Sequence, residues 1–253
     1  MSMASAIAQF ESIGLSDLHD SALFERVDRK FVAPASLIPA LLSGALREYR
    51  ALEIDGQRVF HYVTQYYDTA DLALYHAHHA GRRPRSKVRV REYRVTGDRY
   101  LELKQRTNTG TTIKTRQRLN GHRELPLATL RDTSTIAVPE LDRELHETVQ
   151  VSYDRMTLVH RTRPERVTVD LNLILAAGGR RVQYPTLAFV EVKQAHREPS
   201  GIVSALRGHG VRARDISKYC LGVVNLVAGA RTTRFRRRFA QLNRIGGANE
   251  RAG

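Results

Sequence analysis

The 253-residue sequence contains one cysteine, no tryptophan and no apolar run of the length that crosses a bilayer. The single cysteine, Cys220, excludes a disulfide framework and is typical of proteins kept in a reducing compartment. A transmembrane helix needs about 20 consecutive apolar residues, so none is predicted here. The first ten residues also lack the basic flank and apolar core of a secretory signal peptide. These absences predict a cytoplasmic protein.

Acidic residues are few compared with basic ones. The chain has 41 Lys and Arg residues and 26 Asp and Glu residues, which gives a formal net charge of +15. Its hydrophobic fraction of 42% is enough for a folded core and excludes a disordered chain. Such an excess of positive charge predicts a polyanionic partner, namely a nucleic acid, an anionic membrane surface or a phosphate chain.

Lysine is rare among the basic residues. Six of the 41 are lysines, at Lys30, Lys87, Lys104, Lys114, Lys193 and Lys218. Because arginine fills most basic positions, each lysine is a candidate for a position that needs a compact ammonium group on a flexible stem.

Periodicity and turn residues predict one domain at residues 23–227, preceded by a helical lead-in at 1–22 and followed by a basic helical tail at 228–253. We predict strands at 23–32, 59–67, 87–95, 99–106, 111–119, 149–159, 166–175 and 187–193, and helices at 35–49, 138–148, 200–207 and 217–227. The turn sequences TGD at 96–98 and NTG at 108–110 predict an antiparallel meander of the three central strands.

Charged residues alternate with apolar ones in most of these strands. Alternate side chains of a strand lie on one side of a sheet, so each polar set shares a face. The sets are Arg26, Asp28 and Lys30; Lys87, Arg89 and Arg91; Glu102, Lys104 and Arg106; Lys114, Arg116 and Arg118; Thr168, Asp170 and Asn172; and Glu191 and Lys193. An open sheet with one solvated face is the simplest explanation of such alternation.

The density of basic residues in neighbouring strands favours a different geometry. Like charges across a ladder repel each other unless an anion lies between them. A closed sheet would turn its apolar side outward against helices and surround an anion with its charged side. The predicted fold class is therefore α+β, a closed antiparallel eight-stranded β-barrel tunnel with a charged lumen and helices packed outside.

Seven short motifs occur in order along the chain. They are RVDRKF at 26–31, YYD at 66–68, KVRVR at 87–91, ELK at 102–104, YDR at 153–155, FVEVK at 189–193 and SKY at 217–219. Together they resemble the VTC domain, the catalytic module of a polyphosphate polymerase in the triphosphate tunnel metalloenzyme (CYTH-like) superfamily. The resemblance covers about residues 24–222, and the family's fold is an eight-stranded antiparallel tunnel.

The resemblance implies an enzyme that transfers the γ-phosphate of ATP to a growing polyphosphate chain, with Mn²⁺ or Mg²⁺ as cofactor. It implies catalytic positions at Arg89, Arg91, Lys104 and Lys218. The candidate phosphate-binding residues are Arg26, Lys30, Lys87, Lys114, Arg116, Arg155, Arg166 and Lys193. Glu191 occupies the place of the metal-binding glutamate, and Asp170 and Glu102 on neighbouring strands are the further candidate metal ligands.

Other functions stay open at this point. The superfamily's opening Glu-x-Glu-x-Lys is RVDRK here, and the loss of the first carboxylate favours the polymerase over the hydrolytic branches. A triphosphate hydrolase and a non-catalytic polyphosphate- or nucleotide-binding module are the alternatives. Specific nucleic-acid binding ranks last, because no helix-turn-helix, zinc-finger or aromatic-stacking signature is present.

The tail from residue 228 is rich in arginine. It carries Arg231, Arg234, Arg236, Arg237, Arg238 and Arg244. Peripheral contact with an anionic membrane or a membrane partner is one interpretation, which would place the protein at the inner face of a membrane. A solvated basic helix is the other.

We expect polyanions to stabilise this protein, since a bound anion cancels repulsion among cations on one face. A ligand at about 100 times its Kd adds roughly 2.7 kcal/mol to the free energy of unfolding, a rise of several degrees in Tm. At matched ionic strength, tripolyphosphate should raise the Tm more than orthophosphate. Duplex DNA should raise it little, because a duplex cannot enter an eight-stranded barrel. An equal rise with duplex DNA in a thermal-shift assay would indicate a surface polyanion site instead.

Overall fold

The computed structural model describes residues 3–20, 27–119, 125–134 and 136–246. The strands in these ranges are β1 (Ser12–Ile13), β2 (Val27–Pro34), β3 (Tyr49–Leu52), β4 (Phe60–Asp68), β5 (Arg85–Tyr93), β6 (Asp98–Arg106), β7 (Thr112–Arg118), β8 (His146–His160), β9 (Glu165–Ala177), β10 (Arg180–Tyr184) and β11 (Leu187–Gln194). The helices are α1 (Met3–Ala8), α2 (Leu15–Asp20), α3 (Ile38–Ala45), α4 (Ala73–Ala80), α5 (Leu127–Asp132), α6 (Gly201–Gly208), α7 (Lys218–Leu226) and α8 (Thr233–Gly246), with 3-10 turns at Ala35–Leu37 and Pro139–Asp142.

Eight strands form the main path of one sheet, in the order β2-β11-β9-β8-β4-β5-β6-β7. Every neighbouring pair on this path is antiparallel. The predicted antiparallel sheet with helices and its central meander β5-β6-β7 are thereby confirmed. Lys30 of β2 and Glu191 of β11 lie near enough to Lys104 of β6 to affect its pKa, although β2 and β11 are at the opposite end of the path. The sheet is therefore curled.

The predicted closure of the barrel is not found. Within the described ranges, no hydrogen-bonded ladder joins the edge strand β2 to the edge strand β7. Both edges carry basic residues on the same face, Lys30 on β2 and Lys114 and Arg116 on β7. Direct pairing would add like-charge neighbours across a new ladder, and charged side chains on an edge strand disfavour such pairing.

The convex face of the sheet packs against helices, as the sequence predicts. One apolar cluster joins α1, α3 and α6 to strand residues such as Phe31, Met156 and Val190. A second joins α5 and the turn at Pro139–Asp142 to Val88 and Leu101 of the meander. These apolar residues alternate with the charged ones, so burial of one face presents the other to the concave side.

Helix α7 lies on the concave side, contrary to the prediction that all helices pack outside. Its Tyr219 ring stacks on Tyr66 of β4 with 4.9 Å between ring centroids, on the same face of the sheet as Arg89. Its Gly222 packs so closely against Val149 of β8 that a Cβ atom there would overlap the valine side chain. The apolar stretches of β8 and β9 on this face pack against α7 in a cluster that excludes water.

Several predicted boundaries are wrong for tertiary reasons. The helix predicted at 138–148 is a short 3-10 turn, and β8 starts at His146 because Val149 and Val151 pack against other elements. The helix predicted at 35–49 ends at Ala45, and the residues that follow form β3, which pairs with β8. The turn at residues 178–179 leads into β10, a hairpin partner of β9 that the sequence prediction omitted.

A β-bulge changes the predicted face of one polar residue. Asn172 has a left-handed backbone with φ 52°, and the β8-β9 register shifts between Ser152 and Asp154. Its side-chain amide donates to Asp154 at 2.8 Å, a pair that is exposed to solvent. Asn172 therefore does not join Asp170, which is buried on the concave face.

The basic tail forms the predicted helix, α8. Its Phe239 and Leu242 are buried in the cluster that contains α7, and Phe239 stacks on Phe235 with 5.4 Å between centroids. The apolar side of α8 is therefore covered by protein, which leaves the interpretation of a membrane-binding amphipathic helix without support. No helix in the described ranges is long and apolar enough to cross a membrane.

We expect Leu242→Ala to lower the free energy of unfolding by about 3 kcal/mol, because it leaves a cavity at a fully buried position. Arg236→Ala on the exposed side of the same helix should change it by less than about 0.5 kcal/mol. Urea unfolding of both variants measures the difference. Equal stability of the two would show that α8 does not belong to the core.

Candidate active site

The concave side of the sheet carries the predicted charged residues, and we call it the charged face. Ladder registers place Lys30 opposite Glu191, Arg166 opposite Lys193, Arg155 opposite Asp170, and Arg89 opposite Glu102, each pair on this face. The predicted site residues it brings together are Lys30, Lys87, Arg89, Arg91, Glu102, Lys104, Lys114, Arg116, Arg155, Arg166, Asp170, Glu191 and Lys193. Lys218 reaches the same face from the first residue of α7, and Arg26 lies outside the described residues.

Glu102 is a fully buried carboxylate between two cations. Arg89 Nε donates to Glu102 Oε2 at 2.7 Å, and the Lys114 ammonium pairs with Oε1. Burial on its own would raise the pKa of Glu102, but Arg89, Arg91 and Lys114 hold it well below its usual range. Arg89 also donates to the Tyr66 hydroxyl at 3.2 Å, so its guanidinium is fixed from two sides.

Asp170 is the second buried carboxylate. Arg155 donates to both of its oxygens, at 2.5 and 2.8 Å, in a bidentate pair. The Lys218 ammonium donates to Oδ2 at 2.6 Å and lies 4.8 Å from the ring centroid of Tyr153. Although burial opposes ionisation, these two cations lower the pKa of Asp170 to about 2. The ion pair between Lys218 and Asp170 joins α7 to the charged face.

Glu191 is the third candidate metal ligand and the most accessible of the three. Its side chain is 21% exposed, against 3% for Asp170 and 0% for Glu102. Lys30 Nζ lies 3.3 Å and Lys193 Nζ 3.1 Å from its two oxygens. Burial would raise its pKa, and Lys193, Lys30 and Arg155 lower it well below the usual range. Its ion pairs are the longest on the charged face.

Four cations of the charged face have no carboxylate within ion-pair distance among the described residues: Lys87, Arg91, Lys104 and Arg116. Arg91 is buried, donates weakly to Thr64 Oγ1 at 3.4 Å and lies over an aromatic ring. Lys87 donates to Ser217 Oγ at 2.8 Å. Burial is the largest cause of the low pKa of Lys104, which is about 7. Glu191 opposes this effect, and the neighbouring cations Lys30, Lys87 and Arg89 add to it. The face therefore has a surplus of positive charge where no protein anion balances it.

The VTC domain family model matches residues 25–227, which include β2 to β11 and α3 to α7. The chain belongs to the VTC domain family. A comparison with curated protein sequences finds no relative.

The VTC domain of this chain is also similar in structure to several solved proteins. One is a Hippeastrum protein named as a candidate adenylyl cyclase with a dominant triphosphatase activity, at 15% identity and a TM-score of 0.46, covering 81% of this chain and 98% of that one. Another is a protein of Vibrio parahaemolyticus named as a candidate adenylate cyclase, at 12% identity and 0.44, covering 78% and 97%. A third is PH1819 from Pyrococcus horikoshii, at 13% identity and 0.44, covering 79% and 96%.

The three candidate metal ligands do not form a single site in this VTC domain. Glu102, Asp170 and Glu191 each pair with different cations, and no three His, Cys, Asp or Glu side chains of the described residues group closely enough to hold a metal ion. Magnesium is commonly held by one or two carboxylates together with substrate phosphates. Glu191, which is partly exposed and has the longer ion pairs, fits that arrangement better than the more deeply buried and more closely paired Glu102 and Asp170.

Aromatic residues of the charged face were not among the predicted site residues. Arg155 lies 5.2 Å from the ring centroid of Tyr62 and 5.1 Å from that of Tyr153, and Arg116 lies 5.1 Å from that of Tyr100. Such cation–π contacts fix a guanidinium without neutralising it. The period-two rule could have found them, since Tyr153 and Tyr100 each lie two residues from a predicted site residue.

Replacement of Glu102 by Gln should destabilise the protein by about 3 kcal/mol, because it leaves Arg89 and Lys114 without their buried counter-charge. Tripolyphosphate should then raise the Tm of this variant more than that of the wild type, since an anion replaces the lost carboxylate. Glu92→Gln, at a partly exposed ion pair with Arg94, is the matched control and should match wild type in both measurements. Equal ligand-induced shifts in all three proteins would contradict anion binding beside Glu102.

Proposed function

We propose that this VTC domain is an ATP-dependent polyphosphate polymerase that works on its charged face. The observation that carries the proposal is the set of cations without carboxylate partners, Lys87, Arg91, Lys104 and Arg116. A polymerase must bring the triphosphate of a nucleotide together with the phosphate end of a growing chain, and both are strongly anionic. A surplus of fixed cations offsets the repulsion that opposes their approach.

The length of the basic surface supports a chain-like substrate. Arg85, Lys87, Arg89 and Arg91 alternate along one side of β5. The distance from the first to the last of them is about 20 Å at the usual rise per strand residue. The registers place Lys104 beside Lys87, and Lys114 beside Lys104, so the cations also extend across the sheet. A single triphosphate would occupy only part of this surface.

In the proposed reaction, a terminal phosphate oxygen of the chain attacks the γ-phosphorus of ATP. The bond between the γ-phosphorus and the β,γ-bridging oxygen breaks, ADP leaves with that electron pair, and the chain grows by one phosphate. Arg89 and Arg91 are held rigidly enough to orient phosphate oxygens, while Lys104 and Lys218 place ammonium groups beside them. A phosphate beside Lys104 raises the pKa of that lysine and keeps it cationic.

A divalent ion belongs to this proposal as a cofactor, with Mn²⁺ and Mg²⁺ as the candidates. When bound, it would neutralise charge on the phosphate oxygens, and Glu191 is the residue that would hold it. Lys30 and Lys193, which now pair with Glu191, would then be free to contact phosphate.

Hydrolysis of triphosphates is the second candidate, and the observation that favours it is the same set of cations without carboxylate partners among the described residues, which would bind a triphosphate whichever nucleophile attacks it. Water would then attack the γ-phosphorus in place of the phosphate end of a chain. The cations that bind the triphosphate would serve both reactions.

The proposed cellular location is the cytoplasm, supported by the buried and unpaired Cys220.

Incubation of the full chain with ATP and Mn²⁺ should give ADP and a ladder of polyphosphate on a gel. We expect Arg91→Ala to lower the rate at least about 100-fold with the fold retained, because it removes a cation from the reaction site. Arg94→Ala, an exposed arginine three residues away, is the control and should keep full activity. Orthophosphate without a ladder would establish the hydrolase, and full activity of Arg91→Ala would exclude the charged face as the site.

A further inference from the structure

A cavity of about 480 Å³ lies on the opposite side of the sheet from the charged face. Its floor is Arg29 of β2, whose neighbour Lys30 points to the charged face. One wall is the side of α6 that carries Ser200, Ser204 and Arg207, at helical spacing. The other wall is the preceding loop, including Arg197, Glu198 and Pro199.

Three arginines line this cavity, and only one carboxylate does. Arg197 and Arg207 are exposed and form no ion pair with the described part of the chain, so the cavity has a surplus of positive charge around Glu198. Burial is the largest cause of the lowered pKa of Arg29. Glu165 opposes this effect, and the like charges of Arg207 and Arg197 add to it. Among the residues that line the cavity, Glu198 is the one carboxylate for these three guanidinium groups, so a bound anion would offset part of their mutual repulsion.

Arg29 is the observation that points to a ligand. Its exposed fraction is 9%. Among the described residues, no acceptor forms a hydrogen bond with its Nε–H group. Its Nη2 donates to Gln194 Oε1 at 2.5 Å, and Gln194 in turn donates to the buried Glu165 at 2.5 Å. Ser200, at the start of α6, donates to the same Glu165 at 2.8 Å. The Nε–H group is itself shielded from the cavity, so it is the guanidinium end of Arg29, held by Gln194 and by the Glu198 carbonyl oxygen at 3.3 Å, that gives the cavity a fixed cation.

We propose that this cavity binds a phosphate group, either free orthophosphate or the phosphate of a small phosphorylated molecule. Phosphate fits better than a carboxylate because its oxygens can accept from three guanidinium groups at once, each in a planar fork. The volume lies within the range of small-molecule sites and exceeds that of a bare ion, so a phosphate ester can also enter. The site is separate from the charged face and does not depend on the polymerase activity.

A local fluorescent reporter tests the proposal. The chain has no tryptophan, so Pro199→Trp in the full-length protein places its only indole at the rim of the cavity. Orthophosphate and ribose 5-phosphate are titrated separately at constant ionic strength. We expect a saturable change in fluorescence with at least one of them, and the tighter of the two identifies free phosphate or a phosphate ester as the preferred source.

The double variant Arg197→Ala/Arg207→Ala, in the reporter background, should weaken this binding at least tenfold. Both residues are exposed, so the Tm should stay close to that of the reporter protein. Arg94→Ala, which removes one exposed arginine elsewhere, should bind as before. In the protein without tryptophan, hydrogen exchange of the amides at 200–208 should slow on addition of the same ligand.

Two results would overturn the proposal. One is the absence of both a saturable fluorescence change and altered exchange at 200–208 with millimolar ligand. The other is unchanged affinity in the double variant, which would show that Arg197 and Arg207 do not bind the phosphate. A failure of the polymerase assay would leave these measurements unaffected, because they report on residues of the convex side alone.

Discussion

Three carboxylates hold together a face of the sheet that would otherwise consist almost entirely of like charges. Glu102, Asp170 and Glu191 each contact two cations, and the partners come from different strands or from α7. Each carboxylate thus links its own strand to a neighbouring strand, and Asp170 also links it to α7. Removal of one would leave two cations without their counter-charge, at least one of them largely buried, which costs more than the loss of an exposed ion pair.

Helix α7 depends on the same interactions and also completes the site. Its first residue, Lys218, donates to Asp170, and its N-cap Ser217 accepts from Lys87. The next residue, Tyr219, stacks on Tyr66, which itself accepts from Arg89. Three consecutive residues therefore connect the helix to three different cations or carboxylates of the face. These polar contacts, together with the packing of its apolar residues against β8 and β9, hold α7 on the concave side.

The surplus of cations has opposite consequences for stability and for function. In the free protein, the like charges of this face repel one another, which lowers the free energy of unfolding. Burial, with the added effect of Lys30, Lys87 and Arg89, lowers the pKa of Lys104. The same groups are oriented before any ligand arrives, so phosphate binding needs little rearrangement of the protein. Stability that the free chain lacks is recovered when an anion is bound.

The sequence by itself determined which residues share the charged face, because side chains in a strand alternate with a period of two regardless of the surroundings. It also determined the central meander, since TGD and NTG are local turn signals, and the ordered motifs identified the family. Tertiary structure alone decided where this period-two alternation is interrupted and what packs on each face. The bulge at Asn172 removes one residue from the face, and α7 packs on the concave side through contacts with β4, β8 and β9. Three further features follow from distances between segments that are far apart in the chain, and no local pattern encodes these distances. They are the open edges at β2 and β7, the separation of the three carboxylates, and the cavity lined by Arg29.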